Sequence, residues 1–183
     1  MRPDFELTSV PDWALAPTEP DADRSGRSWT VLAFGARGAD IAARWLTQIS
    51  PAAAESAVRL HRFDASKSVR EATAVLRADI GSARVGWRLM MAGPADACLY
   101  LRGVAVDLGV ADDEMTVAST DVGSRAVHCV HCGAVTRDRV NLEETVPCRS
   151  CNRNLVVHYH VSRRSGTYLG YLVDAERPAE VPA

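Results

Sequence analysis

Between residues 28 and 120 the apolar positions follow two alternating rhythms. Residues 29–35, WTVLAFG, form a short apolar run closed by glycine, the pattern of a buried strand. In the next stretch, ARGADIAARWLTQI, Ile41, Trp45 and Ile49 recur at four-residue spacing. This predicts an amphipathic helix, ended by Ser50-Pro51. Residues 57–65 predict a second strand. The segment VREATAVLRADIG predicts a second helix, capped by Ser66 or Ser68 and stopped at Gly81. Residues 85–93 read as a third strand. PADACLYLRGVAVDLG reads as a third helix, opened by Pro94 and closed by Gly109, and residues 114–120 as a fourth strand.

Strands and helices that alternate with short turns imply a parallel sheet covered by helices, so an α/β domain is expected over residues 28–122. At Gly123-Ser124 the rhythm changes. Helical spacing stops, cysteine and histidine cluster, and short strands punctuated by glycine take over, predicting a β-rich module over 123–176. In NLVVHYHVS, Leu155, Val157, Tyr159 and Val161 share one face of a strand; Val156, His158, His160 and Ser162 share the other. RRSG turns the chain, exposing Arg163 and Arg164, and TYLGYLVDAE returns beside it. Residues 1–27, with Pro3, Pro11, Pro17 and Pro20, read as a tail or a surface-draped arm outside the core, and 177–183 as a tail.

The chain has 183 residues and a formal net charge of −2, which suits one domain joined to a small metal-held module. The acidic balance argues against a nucleic-acid partner. No segment has the roughly 18 apolar residues of a membrane span. The start lacks a basic region followed by an apolar one, so the expected location is cytoplasmic. In that reducing compartment, clustered cysteines read as metal ligands, not disulfides.

The cysteine pattern is Cys129-Val-His-Cys132, fifteen residues, then Cys148-Arg-Ser-Cys151. Each C-x-x-C forms a tight knuckle, and two knuckles brought together offer four sulfurs in a tetrahedron, the preferred surroundings of structural Zn2+. Gly133 permits the tight backbone, Pro147 stiffens the approach to the second pair, and residues 134–146 are expected to form a hairpin between the knuckles. Iron in a rubredoxin-like site is the alternative. Rubredoxins, however, carry proline after the first cysteine of the second pair, whereas here Pro147 precedes Cys148 and Asn152 follows Cys151. His128 and His131 flank the first knuckle and read as surface or supporting residues, because four thiolates already close the site. A closed site has no open position for substrate. No catalytic constellation is evident. His158 and His160 read as solvent-facing, and Cys98, on one helical face with Leu101, Ala105 and Leu108, as core.

Gly35, Arg37 and Gly38, at the first strand-to-helix turn, with Gly93 at the third, are the candidate cofactor-binding positions. G-x-x-G is an incomplete dinucleotide fingerprint. The segment MMAGPADACLYLRGVAVDLGVADDEMTVAST resembles the last strand-helix-strand of the NAD(P)-binding half of ferredoxin reductases. Those carry cysteine where this chain has Ala92, and no flavin-binding barrel is expected before residue 28. That resemblance implies a reductase-derived scaffold without its own hydride-transfer chemistry.

Taken with HCVHCGAVT and CRSCNRNLVVHYHVSRRSGTYLGYLVDAE, the chain resembles the small DmmA-like subunit family of dimethylamine monooxygenases over about residues 29–176. The resemblance implies an accessory subunit, not catalytic alone, of an NAD(P)H- and O2-dependent complex that demethylates dimethylamine. Haem, flavin and iron–sulfur centres would lie on partner oxygenase and reductase components, which this chain would bridge. Only the four cysteines carry over as site residues. A rubredoxin-like electron carrier and a zinc-ribbon regulator binding nucleic acid are the competing readings.

Overall fold

The computed structural model describes residues 8–49, 57–64 and 69–173. Ser50-Pro51, Ser66, Ser68 and the tail at 177–183 lie outside them. Strands β1 (Ser28–Phe34), β2 (Val58–Phe63), β3 (Trp87–Gly93) and β4 (Met115–Ser119) alternate with helices α1 (Gly35–Ile49), α2 (Val69–Gly81) and α3 (Ala95–Asp107). The strands form a wholly parallel sheet in the order β2-β1-β3-β4. Both faces of β1 are buried, which explains its unbroken apolar run. Val31 and Ala33 pack on Ile41, Trp45 and Ile49 of α1. Leu32 and Phe34 pack on the opposite face with Leu76 of α2 and Cys98, Leu101 and Ala105 of α3. Leu108, expected on the stripe with Cys98, follows the last residue of α3 and is exposed. The third strand begins two residues later than expected, because Gly86 turns at φ 91° and leaves Val85 in solvent.

The second sheet holds β5 (Ser124–Cys129), β6 (Val135–Arg139), β7 (Thr145–Pro147), β8 (Asn154–Val161) and β9 (Tyr168–Leu172), in the order β6-β5-β9-β8-β7. Only the β5–β9 pair is parallel. The hairpin expected over 134–146 does not form: β6 pairs with β5 and β7 with β8, on opposite edges. The reason lies in Val140 and Val146, which both enter the core of this sheet. The intervening backbone bonds to β8 instead, Glu143 N–H to Val157 O and Val157 N–H to Glu144 O. Pro147, without an N–H, sits on the edge strand where none is needed.

Residues 8–27 run across both sheets as a strap, and Val10 and Ala14 are core residues, not surface ones. Val10, Trp13 and Ala14 put an apolar face on a single 3-10 turn at Asp12–Ala14, which packs between α3 and Tyr168. Along the strap, Ser9 Oγ accepts the Val161 N–H, Thr18 bridges to Ser119, and the Pro20 carbonyl accepts the Trp45 indole N–H at 2.9 Å. Asp23 pairs with Arg88 at 3.0 Å.

The two sheets meet on α3. Ala95 and Leu99 leave the first sheet's core and join Val127, Val157 and Tyr168 of the second. The 162–167 turn closes on the same helix. Its arginines are exposed as expected, but they are paired within the chain, Arg164 with Asp107 at 3.1 Å and Arg163 with Asp112 at 3.5 Å.

Candidate metal centre

The two knuckles are built alike. Gly133 N–H donates to Cys129 O and Asn152 N–H to Cys148 O, both at 2.9 Å. Cys129 N–H then reaches Ala134 O and Cys148 N–H reaches Arg153 O, again both at 2.9 Å. The residue after each second cysteine is left-handed: Gly133 at φ 74° and Asn152 at φ 56°. Asparagine tolerates that region better than other residues with a Cβ. Asn152 is therefore the counterpart of Gly133, a match that the residue type alone does not show.

The fold brings the two turns face to face. β5 delivers Cys129, β7 delivers Cys148, and the Arg149 N–H donates to Thr136 Oγ1 of β6 at 3.0 Å, tying the second knuckle to the strand that leaves the first. The sulfurs of Cys129, Cys132, Cys148 and Cys151 all lie within 4.8 Å of one another, with Cys129–Cys151 at 3.8 Å and Cys132–Cys148 at 3.6 Å. Such a group could hold one metal ion. Cys129 and Cys148 are buried, Cys151 is half-buried and Cys132 is exposed.

The backbone sets the charge pattern. The N–H groups of Cys151 and then Ser150 point at the Cys148 sulfur and pull its thiol down to about 6. At Cys151 the Arg153 N–H pulls down, but burial and the three neighbouring sulfurs outweigh it and push the thiol up to about 11. Without an ion, four sulfurs this close resist sharing so much negative charge; a divalent cation relieves that repulsion. His128 lies on β5 and His131 is exposed in the first knuckle, and neither joins the sulfur group. His158 faces solvent, and His160 Nδ1 is 3.1 Å from Ser9 Oγ. Cys98 is fully buried and its thiol is pushed well up by burial.

The cofactor candidates gather at the carboxyl ends of β1 and β3, where the strand order reverses, the usual ligand crevice of an open α/β sheet. Their local roles are largely packing. A Cβ on Gly38 would stand 2.5 Å from the Ala92 carbonyl oxygen, and one on Gly93 would stand 2.8 Å from the Phe34 side chain. Gly35 opens α1 at φ 66°. Arg37 is engaged by Glu19 of the strap at 2.9 Å, and Arg44 holds the other Glu19 oxygen at 3.0 Å.

Residues 126–171 match the family described as dimethylamine monooxygenase subunit DmmA-like, C-terminal domain. The chain is also 35% identical over 111 residues to the heme-dependent oxidative N-demethylase delta subunit of Ectopseudomonas mendocina (strain ymp). That match covers 61% of this chain and 62% of the relative, so the chain spans less than two thirds of that relative's length. No solved structure matches. The two likenesses bear out the resemblance to the DmmA-like family. No helix among the described residues is long and apolar enough to cross a membrane.

Proposed function

We propose, with the DmmA-like family resemblance as premise, that this chain is an accessory subunit of an N-demethylating oxygenase complex, held in shape by one structural zinc ion on Cys129, Cys132, Cys148 and Cys151. The convergence of the four sulfurs within 4.8 Å carries the reading. A divalent ion there supplies folding free energy, on the order of 10–16 kcal/mol in zinc-finger peptides. Zinc has no second oxidation state to use and four thiolates leave no open position, so the ion takes no part in redox or substrate chemistry. Zinc fits better than iron because the rubredoxin proline is missing.

The reacting groups then belong to other subunits: haem on an oxygenase component, flavin and iron–sulfur on a reductase component. The substrate is dimethylamine, oxidised with O2 and NAD(P)H, and this chain bridges the components in the cytoplasm. The parallel sheet with its crevice fits a reductase-like scaffold turned to assembly. A nucleotide phosphate at Arg37 would have to displace the Glu19 carboxylate first.

The experiment is a native pull-down of the tagged full-length chain, with identification of co-purifying proteins and metal analysis of the complex. Recovery of a haem protein together with zinc supports the reading. A chain isolated without partners overturns the subunit role; a visible ferric tetrathiolate absorption overturns zinc in favour of electron transfer.

A further inference from the structure

The four sulfurs of the metal centre are not equally reachable. Cys129 and Cys148 are 0% and 2% exposed, and both belong to the core of the second sheet, with Cys151 packed against it. Cys132 stands outside that core. It is exposed, within a run of exposed residues over 130–133 that forms the tip of the first knuckle. Its sulfur lies 3.6 Å from the Cys148 sulfur of the opposite knuckle. The centre therefore has one open corner, and behind that corner stands a shielded sulfur on a different strand connection.

Zinc offers no redox chemistry of its own, so any oxidation at such a site occurs at sulfur. A bound ion keeps all four sulfurs as thiolates, the form that attacks an electrophile. Thiolate character and exposure together decide which cysteine is oxidised. Four positions share the first property, and exposure singles out Cys132.

We infer that Cys132 is a modification site for hydroperoxides, with hydrogen peroxide the simplest, and that its oxidation ends in a Cys132–Cys148 disulfide with loss of the ion. The inference rests on the structural-zinc reading and adds a reaction that the closed site can undergo. The Cys132 thiolate attacks one peroxide oxygen. An S–O bond forms, the O–O bond breaks, and the leaving hydroxide takes a proton from solvent and becomes water. The Cys148 thiolate then attacks the Cys132 sulfur. An S–S bond forms, the S–O bond breaks, and a second hydroxide leaves as water with a second proton. One peroxide is thus reduced to two waters while two thiolates are oxidised to one disulfide. Cys129 and Cys151 alone no longer close a tetrahedral site, and the ion is lost. The new bond joins the same two knuckles that the ion joined, so a covalent link takes over from the coordinate one, and a dithiol with fresh zinc reverses the change. Hydrogen peroxide is what an O2-activating centre releases when O2 takes up two electrons without attacking substrate, so the proposed complex would supply the oxidant itself.

The test treats zinc-loaded full-length chain with hydrogen peroxide, after its zinc content has been measured. Free zinc is followed with a chromogenic chelator, and the cysteines are mapped by peptide mass spectrometry. Zinc should be released in step with a Cys132–Cys148 disulfide, and dithiothreitol with added zinc should restore the starting state. Cys98, fully buried, should remain a thiol. Cys132→His, which keeps a fourth ligand but removes the exposed sulfur, should release zinc at least several-fold more slowly. Should that variant fail to hold zinc, limiting N-ethylmaleimide on the wild type decides the point, with Cys132 alkylated first. Zinc retained through millimolar peroxide, a disulfide within one knuckle, a Cys132→His variant as fast as wild type, or another cysteine alkylated first each overturns the inference and leaves the structural ion standing. A chain with no zinc before peroxide is added removes the structural-zinc reading, and this inference with it.

Discussion

The backbone at Arg164 lies directly against Gly103 of α3: a Cβ on Gly103 would stand 2.5 Å from the Arg164 carbonyl oxygen. Gly166, at φ 63°, makes a similar approach to the Leu99 backbone two residues later in the turn. Through these two glycines the β8–β9 turn closes on the helix of the first sheet, which makes one body of two differently built halves.

That contact reverses an ordinary helix effect. In an exposed helix Gly→Ala stabilises by about 1 kcal/mol. Gly103→Ala should instead destabilise, because the neighbour it meets is backbone and cannot rotate aside. Gly166→Ala should cost about 1–2 kcal/mol from its left-handed φ alone. Urea denaturation of both variants checks the sign.

Leu99 is fully buried where α3 meets the second sheet. Leu99→Ala should cost about 2–5 kcal/mol, as for other buried leucines. Glu19→Gln, at the solvent-exposed pairs with Arg37 and Arg44, should leave the unfolding midpoint unchanged, since exposed pairs contribute little. Paired thermal melts separate the apolar contact made by α3 from the charge pairs of the strap.

Asp79 of α2 accepts hydrogen bonds from Thr30 at 2.9 Å, Arg59 at 2.9 Å and His61 at 3.0 Å. Burial pushes its carboxyl up, but these bonds outweigh burial and hold it below its ordinary value of 3.8. A carboxyl lowered on folding binds fewer protons in the folded state. Its contribution is therefore present above 3.8 and lost as pH falls through the lower folded value. Asp79→Asn should cost about 1–3 kcal/mol at pH 7 and flatten the acid limb of a stability-versus-pH curve.

Asp96, in the first turn of α3, has the opposite sign. Burial raises its carboxyl above the ordinary value of 3.8, and Oδ1 has no hydrogen-bond partner. The folded state holds the proton longer, so stability declines as pH rises from 3.8 through the raised value. Asp96→Asn should melt higher than wild type at pH 7, and the gap should close below that window. Melts from pH 3.5 to 7.5 read it directly.

Much of this fold can be read along the chain because burial on both faces leaves uniform signals. Continuous apolar runs gave β1 and β3, and the spacing of Ile41, Trp45 and Ile49 gave α1. The four cysteines were legible for a different reason, since two C-x-x-C pairs seldom arise without a shared ion. What escaped was anything set by long-range pairing. Val140 and Val146 look like the two arms of a hairpin, yet each is drawn to a different sheet edge by the same core. Val10 and Ala14 sit in a proline-rich stretch with no periodicity, and only a neighbour as large as Tyr168 makes a core position for them. Asn152 showed its role only through φ, where its match to Gly133 appeared.

The account depends on four sulfurs meeting at one divalent ion, and elemental analysis of freshly isolated full-length chain, beside its Cys148→Ser variant, tests this most directly. One zinc per chain is expected in the wild type, with loss of the ion and of cooperative unfolding of the second sheet in the variant. A wild-type chain without transition metal, or a variant that unfolds like wild type, would contradict it.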